Sequence, residues 1–180
     1  LMASTSKSVE ICFVMDCTGS MASWITSCKE KVLQIAANIE EFVRSCSKRS
    51  TVKMSFVAYR DYLASGGYDN PGIAVCDFTQ EISHIQTIVG NQTASGGSDG
   101  PEDICGGLQQ ACGLTWQENA RYLFLIADAP CHGRQYHDLE DHFPSGDPAG
   151  HVMEQQVLQL VKHLQCKVYF IKINSCTDKM

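Results

Sequence analysis

Asp16, Thr18 and Ser20 stand at alternate positions in Asp16-Cys17-Thr18-Gly19-Ser20-Met21, a carboxylate and two hydroxyls on a turn opened by Gly19. All three can point oxygen at one centre, and oxygen donors with few carboxylates suit a hard cation. Mg²⁺ is the expected cofactor, with Mn²⁺ or Ca²⁺ as alternatives that the same donor types accept. Asp128, closing the apolar run Tyr122-Leu-Phe-Leu-Ile-Ala-Asp, is placed to complete such a site. The plainer reading of Thr18 and Ser20 is that they cap a helix, as Ser and Thr often do.

What brings these residues together is the order of the elements. Val9–Asp16 and Arg121–Asp128 are almost continuous apolar runs, each ending in an aspartate, as expected of strands covered on both faces. Between Trp24 and Cys46 the apolar residues recur at three- and four-residue steps and mark an amphipathic helix. Val52–Arg60 reads as a strand and Ile73–Phe78 as its hairpin partner, joined by turns rich in Gly, Asn and Pro. Helical stripes follow at Ile82–Val89, at Ile104–Cys112 after Pro101, and at Met153–Leu164 before a last strand from Lys167 to Asn174. This alternation predicts an α/β, Rossmann-like fold: a mostly parallel central sheet with helices on both faces and a ligand site at the carboxyl ends of the strands. Asp16, Thr18, Ser20, Arg60, Asp61, Asp99 and Asp128 can all converge at that edge.

Composition limits the partners. The chain has 180 residues, 44% of them apolar, enough for one closed core. Its net charge of −6 argues against nucleic acid, and the one basic cluster, Arg44, Lys48, Arg49 and Lys53, surrounds a short connection. No apolar run approaches the ~20 residues of a membrane span. Ten cysteines fall mostly on apolar stripes and form no Cys-x-x-Cys pair, which points to core filling in a reducing, cytoplasmic setting. Cys17 and Cys131 are the two thiols expected to be open to oxidation, and Trp24 and Trp116 are expected to pack.

The motif Asp16-x-Thr18-x-Ser20 after an apolar strand resembles the metal-ion-dependent adhesion site of von Willebrand factor A (vWA) domains, and the resemblance covers nearly the whole chain. It implies that Asp128 is the family's aspartate after the fourth strand. It also implies that Asp99, in Gly96-Gly97-Ser98-Asp99, stands where the family has a threonine, which would add a third negative charge around the cation. Cys17, Gly19, Met21, Arg60, Asp61, Ser98 and His132 are then expected to touch a partner or support the ligands. The wording Ala58-Tyr59-Arg60-Asp61-Tyr62, Gly100-Pro101-Glu102-Asp103 and Ala127-Asp128-Ala129-Pro130-Cys131-His132-Gly133 resembles the subset found beside atypical alpha-kinases. The resemblance implies a protein partner at the carboxyl-end face of the sheet and a kinase domain in the same polypeptide. Residues 1–8 are expected to be disordered or extraneous, and 9–180 to form the vWA-like domain without the family's closing helix and strand.

Four of six histidines, His132, His137, His142 and His151, crowd the 130–151 loop with several carboxylates. Their spacing matches no standard zinc pattern, so a lid over the cation site is the expectation. Enzymatic readings fare worse. A Mg²⁺-dependent phosphatase of the haloacid-dehalogenase type needs Asp-x-Asp, and position 18 is Thr. No Gly-x-Gly-x-x-Gly, phosphate-binding loop or Gly-x-Ser-x-Gly occurs. The sequence therefore predicts a non-catalytic, cation-dependent protein-interaction module, with a metal-independent scaffold as the alternative.

Overall fold

The computed structural model describes residues 8–46 and 50–180. Residues 1–7 of the expected terminal segment 1–8 and the basic residues Lys48 and Arg49 lie outside them. A five-stranded sheet has the order β3-β2-β1-β4-β5, with β1 Val9–Asp16, β2 Val52–Tyr59, β3 Ala74–Thr79, β4 Ala120–Ala127 and β5 Lys167–Lys172. Only the β2–β3 pair is antiparallel. Helices cover both faces, as the alternating pattern requires.

Successive residues of a strand point to opposite faces, and β1 separates the two cores accordingly. Ile11, Phe13 and Met15 pack with α1 (Ile25–Cys46) and α2 (Ile82–Gly90). Cys12 and Val14 pack with α3 (Ile104–Cys112) and α4 (Met153–Leu158). Gly107 of α3 lets the helix lie close to the sheet: a Cβ there would stand 2.8 Å from the Tyr59 ring.

Several elements differ from the sequence pattern. Pro101 precedes α3 instead of opening it, and Asp103 caps the helix by accepting from the Gly106 N–H at 2.6 Å. The fourth stripe reaches Leu164 only because α4 continues as one π-helical turn, Gln159–His163. At the end of the described residues Asn174 caps a short 3₁₀ turn, Ser175–Thr177, and Met180 packs into the α3/α4 core. Trp24 is 46% exposed because it precedes the buried stripe of α1, whereas Trp116 packs edge-on against Phe78. Cys46, at the end of α1, is exposed as well.

At the amino ends of the strands Glu10 is fully buried. Its carboxylate accepts the backbone N–H groups of Gln117 and Glu118 at 2.9–3.1 Å, with Lys53 and Arg121 nearby. This clamp fixes the β4 entry, at the opposite end of the sheet from the candidate site. No described helix is long and apolar enough to cross a membrane.

Candidate functional site

After β1 the chain turns to β2 and β3 on one side, and β4 and β5 complete the other. The carboxyl ends of β1 and β4 therefore flank the point where strand order reverses, the place where open parallel sheets leave a crevice. Asp16 ends β1 and Asp128 follows β4, so both carboxylates arrive there.

The oxygens form a continuous chain. Asp16 Oδ1 accepts from the Thr18 N–H at 2.8 Å and from the Thr18 hydroxyl at 2.6 Å. The Thr18 and Ser20 hydroxyls are 3.2 Å apart, and Ser20 Oγ donates to Asp128 Oδ1 at 2.8 Å. Neither hydroxyl caps α1: a 3₁₀ turn, Gly19–Ser23, intervenes, and Thr18 makes no capping bond. Asp16 and Thr18 are buried, while Gly19 and Ser20 are exposed at the rim. Burial pushes the Asp16 carboxyl up to about 7; the Thr18 bonds oppose this and the Asp128 charge adds to it. A cation beside two buried carboxylates would relieve that cost, and a carboxylate–hydroxyl–hydroxyl–carboxylate donor set fits a hard divalent ion.

The supporting residues have distinct positions. Cys17 and Met21 are fully buried, so neither meets a partner: Cys17 ties the loop down through its backbone to Tyr59 and Ser95, and Met21 is core. The Gly19 N–H donates to the Gly96 carbonyl at 2.9 Å, bringing the loop before α3 against the Asp16 turn. Arg60 does not pair with its neighbour Asp61. Its guanidinium, nearly fully buried, donates to Ser95 Oγ, the Gly72 carbonyl and the Thr93 carbonyl at 3.0–3.2 Å, lacing the β2–β3 connection to the loop before α3. Ser98 donates to the Tyr62 carbonyl at 3.0 Å.

Asp99 is engaged elsewhere. One of its oxygens accepts from the His142 backbone N–H, and its carboxylate groups with Asp61 and His132. The 130–151 loop folds over this region: His132 bridges Asp61 Oδ1 at 2.7 Å and Asp141 Oδ1 at 2.9 Å, while His151 lies 2.8 Å from Asp147. Burial alone would lower the His132 imidazole, but its bonds to Asp61 and Asp141 raise it to about 9.

Sequence reasoning passed over Glu102. It is almost fully buried, and a Cβ on Gly97 would stand 2.7 Å from its Oε1, a position glycine keeps clear at φ +83°. Its N–H donates to the Pro130 carbonyl at 2.8 Å, placing Glu102 between the loops that carry Asp16 and Asp128. Burial, with the charges of Asp16 and Asp61, pushes its carboxyl up to about 10. The available signal was an acid set between a Gly-Pro turn and a buried helix.

A family model described as von Willebrand factor A domain matches residues 10–139. The chain belongs to this family. The alpha-protein kinase vwkA of Dictyostelium discoideum is 30% identical over 170 residues, covering 94% of this chain and 26% of that protein, so this vWA domain spans about a quarter of that relative. Among solved structures, the open conformation of the pilus adhesin SpaC from Lactobacillus rhamnosus GG superposes with a TM-score of 0.60 at 13% identity, over 92% of this chain and 24% of that one. The conserved hypothetical protein BatB from Bacteroides thetaiotaomicron gives 0.51 at 11% identity, over 93% and 92%. At these identities the structures share the fold alone.

Proposed function

We propose that this vWA domain is a non-catalytic, divalent-cation-dependent protein-interaction module, bound through the carboxyl-end face of its sheet. The observation that carries the reading is the oxygen chain Asp16–Thr18–Ser20–Asp128, drawn from two loops and ending in the exposed Ser20. Mg²⁺ is the expected ion, held by these four residues, and it would supply an electrophilic position for a carboxylate of the partner protein. Hydrogen bonds tie two carboxylates into this group, with Asp99 bonded to a different loop. Two carboxylates balance a divalent ion without making the group net negative, so it stays open to a partner's carboxylate, which a third anionic ligand would repel.

The likeness to an alpha-protein kinase supports a targeting or regulatory role beside a kinase domain in the same polypeptide. Ten free cysteines, eight of them buried, support a reducing, cytoplasmic setting. Thermal melts in EDTA and in millimolar Mg²⁺ or Mn²⁺ test the cation. A bound ion stabilises the fold by mass action, by about 2.7 kcal/mol at one hundred times the dissociation constant, and so raises the midpoint. No shift with either ion would leave the fold as a metal-independent scaffold, and turnover of a phosphoester would return it to the enzymes.

A further inference from the structure

The residues that do not join the Asp16 group converge on a place of their own. Asp61 follows β2, Asp99 lies before α3 and His132 follows β4, and one ligand-capable atom from each falls within 4.8 Å of the others. The set is not merely acidic, because it includes an imidazole whose far nitrogen is already held. His132 Nδ1 lies 2.9 Å from Asp141 Oδ1, and Asp141 is itself fixed by the Gly133 and Phe143 N–H groups at 2.9 and 2.7 Å. A carboxylate behind a histidine that turns its other nitrogen towards a site is the arrangement that orients imidazole ligands on metals.

A second observation is that two buried carboxylate oxygens here are unfilled. Asp61 has no exposure, yet its Oδ2 has no hydrogen-bond partner, and Asp99 Oδ1, also buried, has none. Buried carboxylate oxygens are normally satisfied, since leaving one without a partner costs its full desolvation. The other oxygens of both side chains are used, Asp61 Oδ1 on His132 Nε2 and Asp99 Oδ2 on the His142 N–H. The Phe143 ring stands perpendicular to the His132 imidazole, 5.1 Å between centroids, and closes one side of it.

We propose that Asp61, Asp99 and His132 form a second cation site, separate from the Asp16 group and selective for a divalent first-row transition ion, Zn²⁺ or Mn²⁺, over Mg²⁺. Imidazole suits Zn²⁺ and is a poor ligand for Mg²⁺, the two carboxylates also suit Mn²⁺, and together they match the charge of either ion. Such an ion joins the β2 end, the loop before α3 and the 130–151 loop through one centre. It thereby fixes the surface that surrounds Ser20.

The test is calorimetric titration of Zn²⁺, and separately Mn²⁺, into the Mg²⁺-saturated domain, on a Cys46→Ser/Cys176→Ser background that removes the exposed thiols. The proposal expects one equivalent of tight binding, weakened at least about tenfold by His132→Gln and by Asp99→Asn and unchanged by Ser20→Ala. The Mg²⁺-induced rise in melting midpoint should behave in the opposite way, surviving Asp99→Asn and falling in Ser20→Ala. His132 also braces its loop, so Asp99→Asn, with circular dichroism matching the parent, decides the matter if His132→Gln misfolds. Absence of transition-metal binding in the Mg²⁺-saturated protein, or binding that Asp99→Asn leaves intact, overturns the proposal. So does binding that Ser20→Ala abolishes, which would assign the ion to the first group.

Discussion

Ser20 Oγ donates to Asp128 Oδ1 at 2.8 Å, across 108 residues of chain. Because β1 and β4 are adjacent and parallel, their carboxyl ends lie side by side, and this bond joins the loops that leave them. Thr18 and Ser20 thus link the buried Asp16 to a carboxylate delivered by another strand. The same contact both closes the switch-point crevice and gathers the oxygens for an ion.

Ser20→Ala should separate these two roles. Ser20 is exposed, so losing one hydrogen bond costs about 0.5–1 kcal/mol in EDTA, read as a small drop in the denaturation midpoint. The rise in melting midpoint caused by Mg²⁺ should fall far more than that, because an oxygen donor leaves the rim. Equal Mg²⁺-induced shifts in the variant and the parent would count against the four-oxygen site.

Gly107→Ala should destabilise the domain by about 1–3 kcal/mol, although alanine is the better helix former. The added Cβ would lie 2.8 Å from the Tyr59 ring and 3.1 Å from Val14, so α3 must lift from the sheet or the ring must move. The Tyr59 hydroxyl lies 3.5 Å from Asp16 Oδ2, so that movement reaches the oxygen chain. Chemical denaturation measures the loss, and a neutral or stabilising result would show that the α3–sheet contact yields freely.

The fold was legible because its signals are local. Period-two and period-3.6 patterns place β1, α1 and β4, and residues 16, 18 and 20 share a turn by spacing alone. Asp128 could be found from the end of a second buried strand. Asp99 could not be placed, because its position follows from long-range loop bonds: Asp69 Oδ2 accepting the Gly97 N–H at 2.8 Å, and His142 reaching Asp99 from a segment 43 residues later. Glu10 was equally hidden, since an acid in an apolar run shows its role only when the backbone N–H groups of Gln117 and Glu118 appear against it.

Asp77 should give the domain a recognisable acid limb. Partial burial works against ionisation, but bonds from the Thr115 hydroxyl, the Phe78 N–H and the Thr115 N–H prevail and hold the carboxyl below its ordinary 3.8. A carboxyl lowered in the folded state adds stability above the unfolded value and loses it as pH falls through the folded one. Asp77→Asn should therefore cost on the order of 1 kcal/mol at pH 7, with the gap narrowing below about pH 4. Urea midpoints at pH 7, 5, 4 and 3 check it, and a gap independent of pH would remove Asp77 from the acid limb.

The thiols should divide by exposure. Cys46 and Cys176 are exposed and the other eight are buried. Cys17 and Cys131, which their places beside the Asp16 turn and the 130–151 loop mark for oxidation, have no exposure at all. Burial pushes Cys12, Cys17 and Cys166 up to about 12 and Cys112 to about 11, so little reactive thiolate exists near neutral pH. Brief iodoacetamide treatment of the native domain at pH 8 should add two carbamidomethyl groups by mass spectrometry, and all ten cysteines should react in guanidinium. A third native adduct at Cys17 would mean that the turn carrying Thr18 and Ser20 opens on the labelling timescale. If Mg²⁺ then suppressed that adduct, the opening would be coupled to the cation group and not to global unfolding.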